Sequence, residues 1–187
     1  MKPIKDILPD VKPSDVMPVK DIETVNPLIP FQYKDAEVEK SIKLDYNKSW
    51  YLSGEPGVGK THLAYALKRK ALPKIERGYV FGVKNLIDFI SKLKSFPFEE
   101  RDFYIYSLKT FYNYLIIDDL GAEQDTGYNQ DIVYQIIDYR LNNGLITCFT
   151  SNHKIGELHY NDRIKSRILG IVGNNKFELK GTDRRLK

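Results

Sequence analysis

Apolar residues along this chain come in short bursts, separated by stretches where they recur every three or four positions. "SWYLSG", "GYVFGV", "YNYLIIDD", "LITCFTSN" and "NKFELKG" read as strands, the third and fourth buried and with polar ends. Between them, Thr61 to Lys70 reads as a helix with Leu63, Ala64, Ala66 and Leu67 toward a core. "NLIDFISKLKS" carries the stripe Leu86, Ile87, Phe89, Ile90 and Leu93. "QDIVYQIIDYRL" is helical, with Gly144 just past its end, and "DRIKSRILG" is a short helix. Strand and helix alternating at this spacing predict an α/β fold, a parallel sheet covered on both faces.

Before Phe31 the pattern is absent. Six of the nine prolines lie at or before Pro30. Proline lacks an N–H donor and fixes φ, so residues 1–30 are expected to form a tail or partner-binding segment, with the folded domain spanning 31–187. The 187 residues suit one domain with a sizeable core. The net charge of +4 is uneven: Lys154 to Lys187 holds nine Lys/Arg against four Asp/Glu. A basic end of this kind suits phosphate or nucleic acid, or is a solvated face. The single cysteine, Cys148, excludes a disulfide framework and a multi-cysteine zinc site, and fits a reducing compartment. There is no apolar run long enough for a membrane helix and no secretory signal, so a cytoplasmic protein without membrane contact is expected.

The chemistry begins after the first strand. Gly54-Glu55-Pro56-Gly57-Val58-Gly59-Lys60-Thr61 is G-x-x-x-x-G-K-T, a Walker A phosphate loop between a strand and a helix, with His62 following it. Its glycines let backbone N–H groups turn toward phosphate oxygens, and the helix start adds partial positive charge. Lys60 is expected on the β and γ phosphates and the Thr61 hydroxyl on Mg²⁺. Gly54 through His62 are thus the candidate nucleotide-binding residues.

"LIIDD" ends a buried strand in two acids. Neighbours on a strand point to opposite faces, so one acid can hold Mg²⁺ while the other addresses a water. Asp118 is the candidate metal ligand and Asp119 the candidate for polarising the attacking water. Asp118-Asp119-Leu120-Gly121 also fits the D-x-x-G element of GTPases, but no N-K-x-D segment follows, which excludes that class. Thr150, Ser151 and Asn152 close the next strand. Parallel strands present their C-terminal ends to one crevice, and Asn152 is the preferred contact to the γ-phosphate or the water; the alternative is an Asx-type turn.

"GEPGVGKTHLAYAL", "YLIIDDLGAE", "YQIIDYRLNNGLITCFTSNH" and "NDRIKSRILG…FELKGTDRR", in that order, resemble the AAA+ ATPases of the DnaC/DnaI helicase-loader family, a clade that includes the IstB-type transposition ATPases. The resemblance covers about residues 29–187. It implies a five-stranded parallel sheet with helices on both faces and ATP with Mg²⁺ as the cofactors. By the same resemblance Asn152 matches sensor 1. Arg167, or Arg163 one turn earlier, matches the arginine that reaches the ATP of a neighbouring subunit. Arg185, with Arg184 adjacent, matches sensor 2, and "LIPFQY" matches a linker lying over the adenine. The chain departs from the family in lacking a helicase-binding domain with zinc-ligating cysteines before the ATPase. Either the tail contacts the partner directly or the partner differs. Little room for a lid and no helix-turn-helix after sensor 2 argue against a DnaA-type initiator.

The expected partners are a replicative helicase, single-stranded DNA and further copies of the chain. Lys84, Lys92 and Lys94, with Phe96, Phe98, Tyr104 and Tyr106 nearby, suit a DNA-contacting element; the alternative is core aromatics beside a solvated basic face. His62, His153 and His159 lack metal-ligand spacing. The function expected is an ATP-hydrolysing replication factor, a helicase loader. The alternatives are an IstB-like transposition ATPase, an adaptor that holds ATP with little hydrolysis, and a P-loop kinase, against which the sensor asparagine and C-terminal arginines speak.

Overall fold

The strands are β1 (Tyr51–Ser53), β2 (Phe81–Asn85), β3 (Tyr114–Asp118), β4 (Ile146–Ser151) and β5 (Lys176–Glu178). They form one sheet in the order β2-β3-β4-β1-β5, and every pair is parallel. This computed structural model describes residues 29–38, 45, 47–75 and 81–183. The tail proper and the arginines at 184 and 185 therefore lie outside the described residues.

Alternation along the strands sends side chains into two cores. Trp50, Leu52, Val83, Tyr114, Ile116 and Cys148 pack under α1 (Lys60–Ile75) with Leu63, Ala64 and Leu67. Tyr51, Leu115, Ile117 and Phe149 pack on the opposite face. There they meet α2 (Leu86–Ser95), α3 (Phe98–Thr110), α4 (Gly127–Asn142) and α5 (Asp162–Val172). Burial on both faces is why β3 and β4 read as unbroken apolar runs. Burial also pushes the Cys148 thiol up to about 12, which leaves it a core side chain without thiolate character.

The expected helices are present, with two differences. Ile87 of the α2 stripe stands 39% exposed, while Leu86, Phe89, Ile90 and Leu93 are buried. Helix α3 is an addition to the elements that the sequence pattern predicts. Its sequence, FEERDFYIYSLKT, mixes buried Ile105 and Leu108 with Phe98, which is 77% exposed, so no clear stripe marks it. Tyr104 from α3 stacks on Phe89 at 4.9 Å between ring centroids and makes an edge contact with Phe96. The Lys92 ammonium lies 5.6 Å over the Tyr104 ring and that of Lys84 lies 5.5 Å over Tyr112. Of the aromatics that suit stacking on bases, Tyr104 is thus committed to internal packing, and Phe98 is the one that stands exposed.

Because β3, β4 and β1 are adjacent and parallel, the loops leaving their C-terminal ends meet at one edge of the sheet.

Candidate functional site

The loop from β1 to α1 wraps the start of the helix. Gly57 and Gly59 have φ of 79° and 103°, conformations that side chains disfavour. A Cβ on Gly57 would also lie 2.0 Å from Asp183 Oδ1, so the segment after β5 packs directly on the loop. Lys60, only 5% exposed, donates from Nζ to the carbonyls of Gly54 (2.7 Å) and Glu55 (2.9 Å) and to Asn152 Oδ1 (2.7 Å). The loop lysine and the polar end of β4 are therefore in direct contact.

Asp118 is the last residue of β3 and is buried. Thr61 Oγ1 donates to its carboxylate at 3.0 and 3.2 Å, and Thr150 Oγ1 donates to Oδ1 at 2.6 Å. Burial raises its pKa to about 6, against the lowering pull of these hydroxyls, while the neighbouring charge of Asp119 adds to the rise. A buried carboxylate held by two hydroxyls, one at a helix start, fits a hard oxygen-seeking cation such as Mg²⁺.

The division of labour between the two acids has a different origin from strand alternation. β3 stops at Asp118, and Asp119 takes a positive φ of 57°. The turn is fixed by β4: the Asp119 N–H donates to Thr150 Oγ1 (3.1 Å), the Leu120 N–H to the Thr150 carbonyl (2.9 Å), and Ser151 Oγ to the Leu120 carbonyl (2.6 Å). Asp119 Oδ2 in turn accepts from Asn85 Nδ2 at 3.1 Å, while Asn85 Oδ1 caps α2 through the Asp88 N–H (3.2 Å).

These groups border a cleft of about 540 Å³ lined by Gln32, Tyr33, Pro56, Gly57, Gly59, Lys60, Thr61, His62, Asp119 and Asn152. That size is ordinary for a small-molecule site. Tyr33 stacks on Tyr65 at 4.7 Å and meets His62 edge-on at 6.4 Å, giving the cleft an aromatic wall. Gly54, Glu55 and Val58 belong to the same loop without lining the cleft. Arg163 and Arg167 do not line it either: they lie on α5, and Arg167 Nε is bound to Asp138 Oδ1 at 2.6 Å. Arg185 lies outside the described residues.

Two members of this arrangement were missed in the sequence. In the sequence Thr150 reads only as a contact to the ligand, whereas its hydroxyl ties both acids together. Asn85 was not singled out, although the polar end of β2 was the signal that could have found it.

A family described as IstB-like ATP binding protein matches residues 37–165. The solved structure of the DnaC helicase loader is similar with a TM-score of 0.66, at 23% identity over 80% of this chain and 99% of that one. For DnaI the TM-score is 0.60, at 27% identity over 98% of this chain and 94% of that one. Domain III of the Thermotoga maritima replication initiation protein DnaA gives 0.63 at 16% identity, covering 94% and 71%. No curated protein sequence matches.

Proposed function

Because the chain belongs to the IstB-like ATP-binding family and has the AAA+ P-loop fold, we propose that it is an ATP-dependent, replication-associated ATPase that acts as a helicase loader. The observation that carries this is the meeting of Lys60, Thr61, Asp118, Asp119 and Asn152 where β1, β3 and β4 end.

The loop backbone and Lys60 would hold the phosphates, and Thr61 and Asp118 would hold Mg²⁺. The cation, when bound, supplies charge that neutralises the phosphate oxygens. Asp119, steadied by Asn85, accepts a proton from the attacking water, and Asn152 orients that water or the γ-phosphate. Tyr33 and His62 flank the base. Arg167 reaches the ATP of a neighbouring subunit, so the hydrolytic site is shared between copies; Arg185 fills the sensor 2 role. Single-stranded DNA is the nucleic-acid partner, contacted through Lys94, Phe98 and their neighbours, and a replicative helicase is the protein partner.

ATP turnover measured against protein concentration, with and without single-stranded DNA, tests the reading. Turnover is expected to rise with concentration, to vanish in Lys60→Ala, to fall by about 10³-fold or more in Arg167→Ala, and to return when the two variants are mixed. Turnover independent of concentration with a silent Arg167→Ala would refute the shared site.

The family match favours one second reading, an ATPase that serves a transposase. Co-purification against a replicative helicase and a transposase separates the two. The seat of ATP is the same in both.

A further inference from the structure

Helices α4 and α5 carry a chain of four polar side chains. Arg163 Nη2 donates to the Tyr134 hydroxyl at 2.5 Å, and its guanidinium lies 3.8 Å from the centroid of that ring. The Tyr134 hydroxyl donates to Asp138 Oδ1 at 3.1 Å. Arg167 Nε donates to the same oxygen at 2.6 Å.

The two arginines are one helical turn apart but are held differently. Arg163 has the outer end of its guanidinium on a hydroxyl and one face on a ring. Arg167 is bonded at Nε, the inner edge of the group. The guanidinium also hydrogen-bonds the Tyr134 hydroxyl, so two side chains of α4 fix its orientation. An arginine side chain loses much rotamer freedom when immobilised, so one already fixed in the free subunit loses less when it meets a phosphate.

We propose that Asp138 is the positioning residue for Arg167: it fixes the guanidinium through Nε for the ATP of a neighbouring subunit, with Tyr134 bonded to Asp138 and Arg163 bonded to Tyr134. This rests on the shared-site reading above. The plain alternative is an inter-helix ion pair at the surface, which contributes little to anything.

The test is steady-state ATP hydrolysis at saturating subunit concentration for Asp138→Ala, Asp138→Asn, Tyr134→Phe and Arg167→Ala. Asp138→Ala is expected to lower kcat on the order of tenfold, a fraction of the 10³–10⁵ that trans arginines supply in GTPases, with KM for ATP within about twofold. Asp138→Asn keeps an acceptor for Nε and should lose less. In the Arg167→Ala background Asp138→Ala should add nothing. Mixing Asp138→Ala with Lys60→Ala subunits should restore turnover, because the Lys60→Ala copies bring an intact Arg167. Tyr134→Phe removes one hydroxyl, keeps the packing, and should lower kcat mildly even if Asp138→Ala folds poorly. Two results overturn the proposal while the shared site stands: full kcat in Asp138→Ala where Arg167→Ala is impaired, or equal losses from Asp138→Ala with and without Arg167. A silent Arg167→Ala would remove the shared site itself, and this inference with it.

Discussion

Asp118 carries a charge in a place that resists it. Burial raises its pKa to about 6 from an ordinary 3.8, so the folded protein holds that proton more tightly than the unfolded chain does. Folding stability therefore declines as pH rises from about 4 to 6, and the full deficit remains at higher pH. Asp118→Asn removes the charge and keeps hydrogen-bonding capacity toward Thr61 and Thr150. Without Mg²⁺, it is expected to stabilise the protein by about 1–3 kcal/mol at pH 7.5 and by little at pH 4, read by thermal unfolding. An equal gain at both values would show that charge is not the cause. Hydrolysis should be lost in the same variant. Thr150 is the second residue to probe. Thr150→Val keeps the shape but deletes the bonds to Asp118 and to the Asp119 N–H, leaving a buried donor unsatisfied. A stability loss of about 1–3 kcal/mol and a reduced kcat are expected, with Thr150→Ser restoring both. Spacing alone named Lys60, Thr61 and the two acids, because a phosphate loop is local in sequence. The role of Thr150 was not legible, since it depends on how β3 and β4 register, and no local pattern encodes that.

At the scale of elements, the legible helices were those whose buried positions repeat cleanly, such as Ile164, Ile168 and Val172 on α5. Helix α3 has no such repeat, and its last carbonyls are satisfied from elsewhere in the chain. Arg140, on α4 and 0% exposed, donates from Nη1 to the carbonyls of Leu108 (3.2 Å) and Lys109 (3.3 Å) at the end of α3, and from Nη2 to that of Tyr112 (3.0 Å). It also donates to the Ile146 carbonyl (2.9 Å) and from Nε to Thr147 Oγ1 (2.8 Å) at the start of β4. A cation at a helix C-terminus meets carbonyls that the helix itself cannot satisfy. Arg140→Met would strand several buried acceptors, and a loss of about 3–5 kcal/mol is expected in urea unfolding. A loss below about 1 kcal/mol would mean that water replaces the guanidinium. Nothing local in QDIVYQIIDYRL marks Arg140, because its partners are mostly backbone carbonyls, which carry no residue signature.

For the whole molecule, ligand and fold are linked. A ligand that binds only the folded state adds about 2.7 kcal/mol at a hundredfold excess over Kd. In a domain of this size that amounts to a rise of roughly 5–10 °C in Tm on adding Mg²⁺ and ATP. The Lys60→Ala protein should show no such rise, and a thermal-shift titration reads both. The α/β class and the sheet were legible because strand and helix periods alternate so plainly. The strand order was not, and it is the order that brings β1, β3 and β4 together. The described helices include none long and apolar enough to cross a membrane. The contact between Asp183 and Gly57 has a consequence in time as well as in space. The phosphate loop leaves the ribosome more than a hundred residues ahead of the segment that packs against it. A nascent chain can thus display the whole Walker A sequence long before that loop has its wall. Competence to take up nucleotide in this way waits on synthesis of the residues around Asp183, and a chain ended before them would carry the motif without the full site.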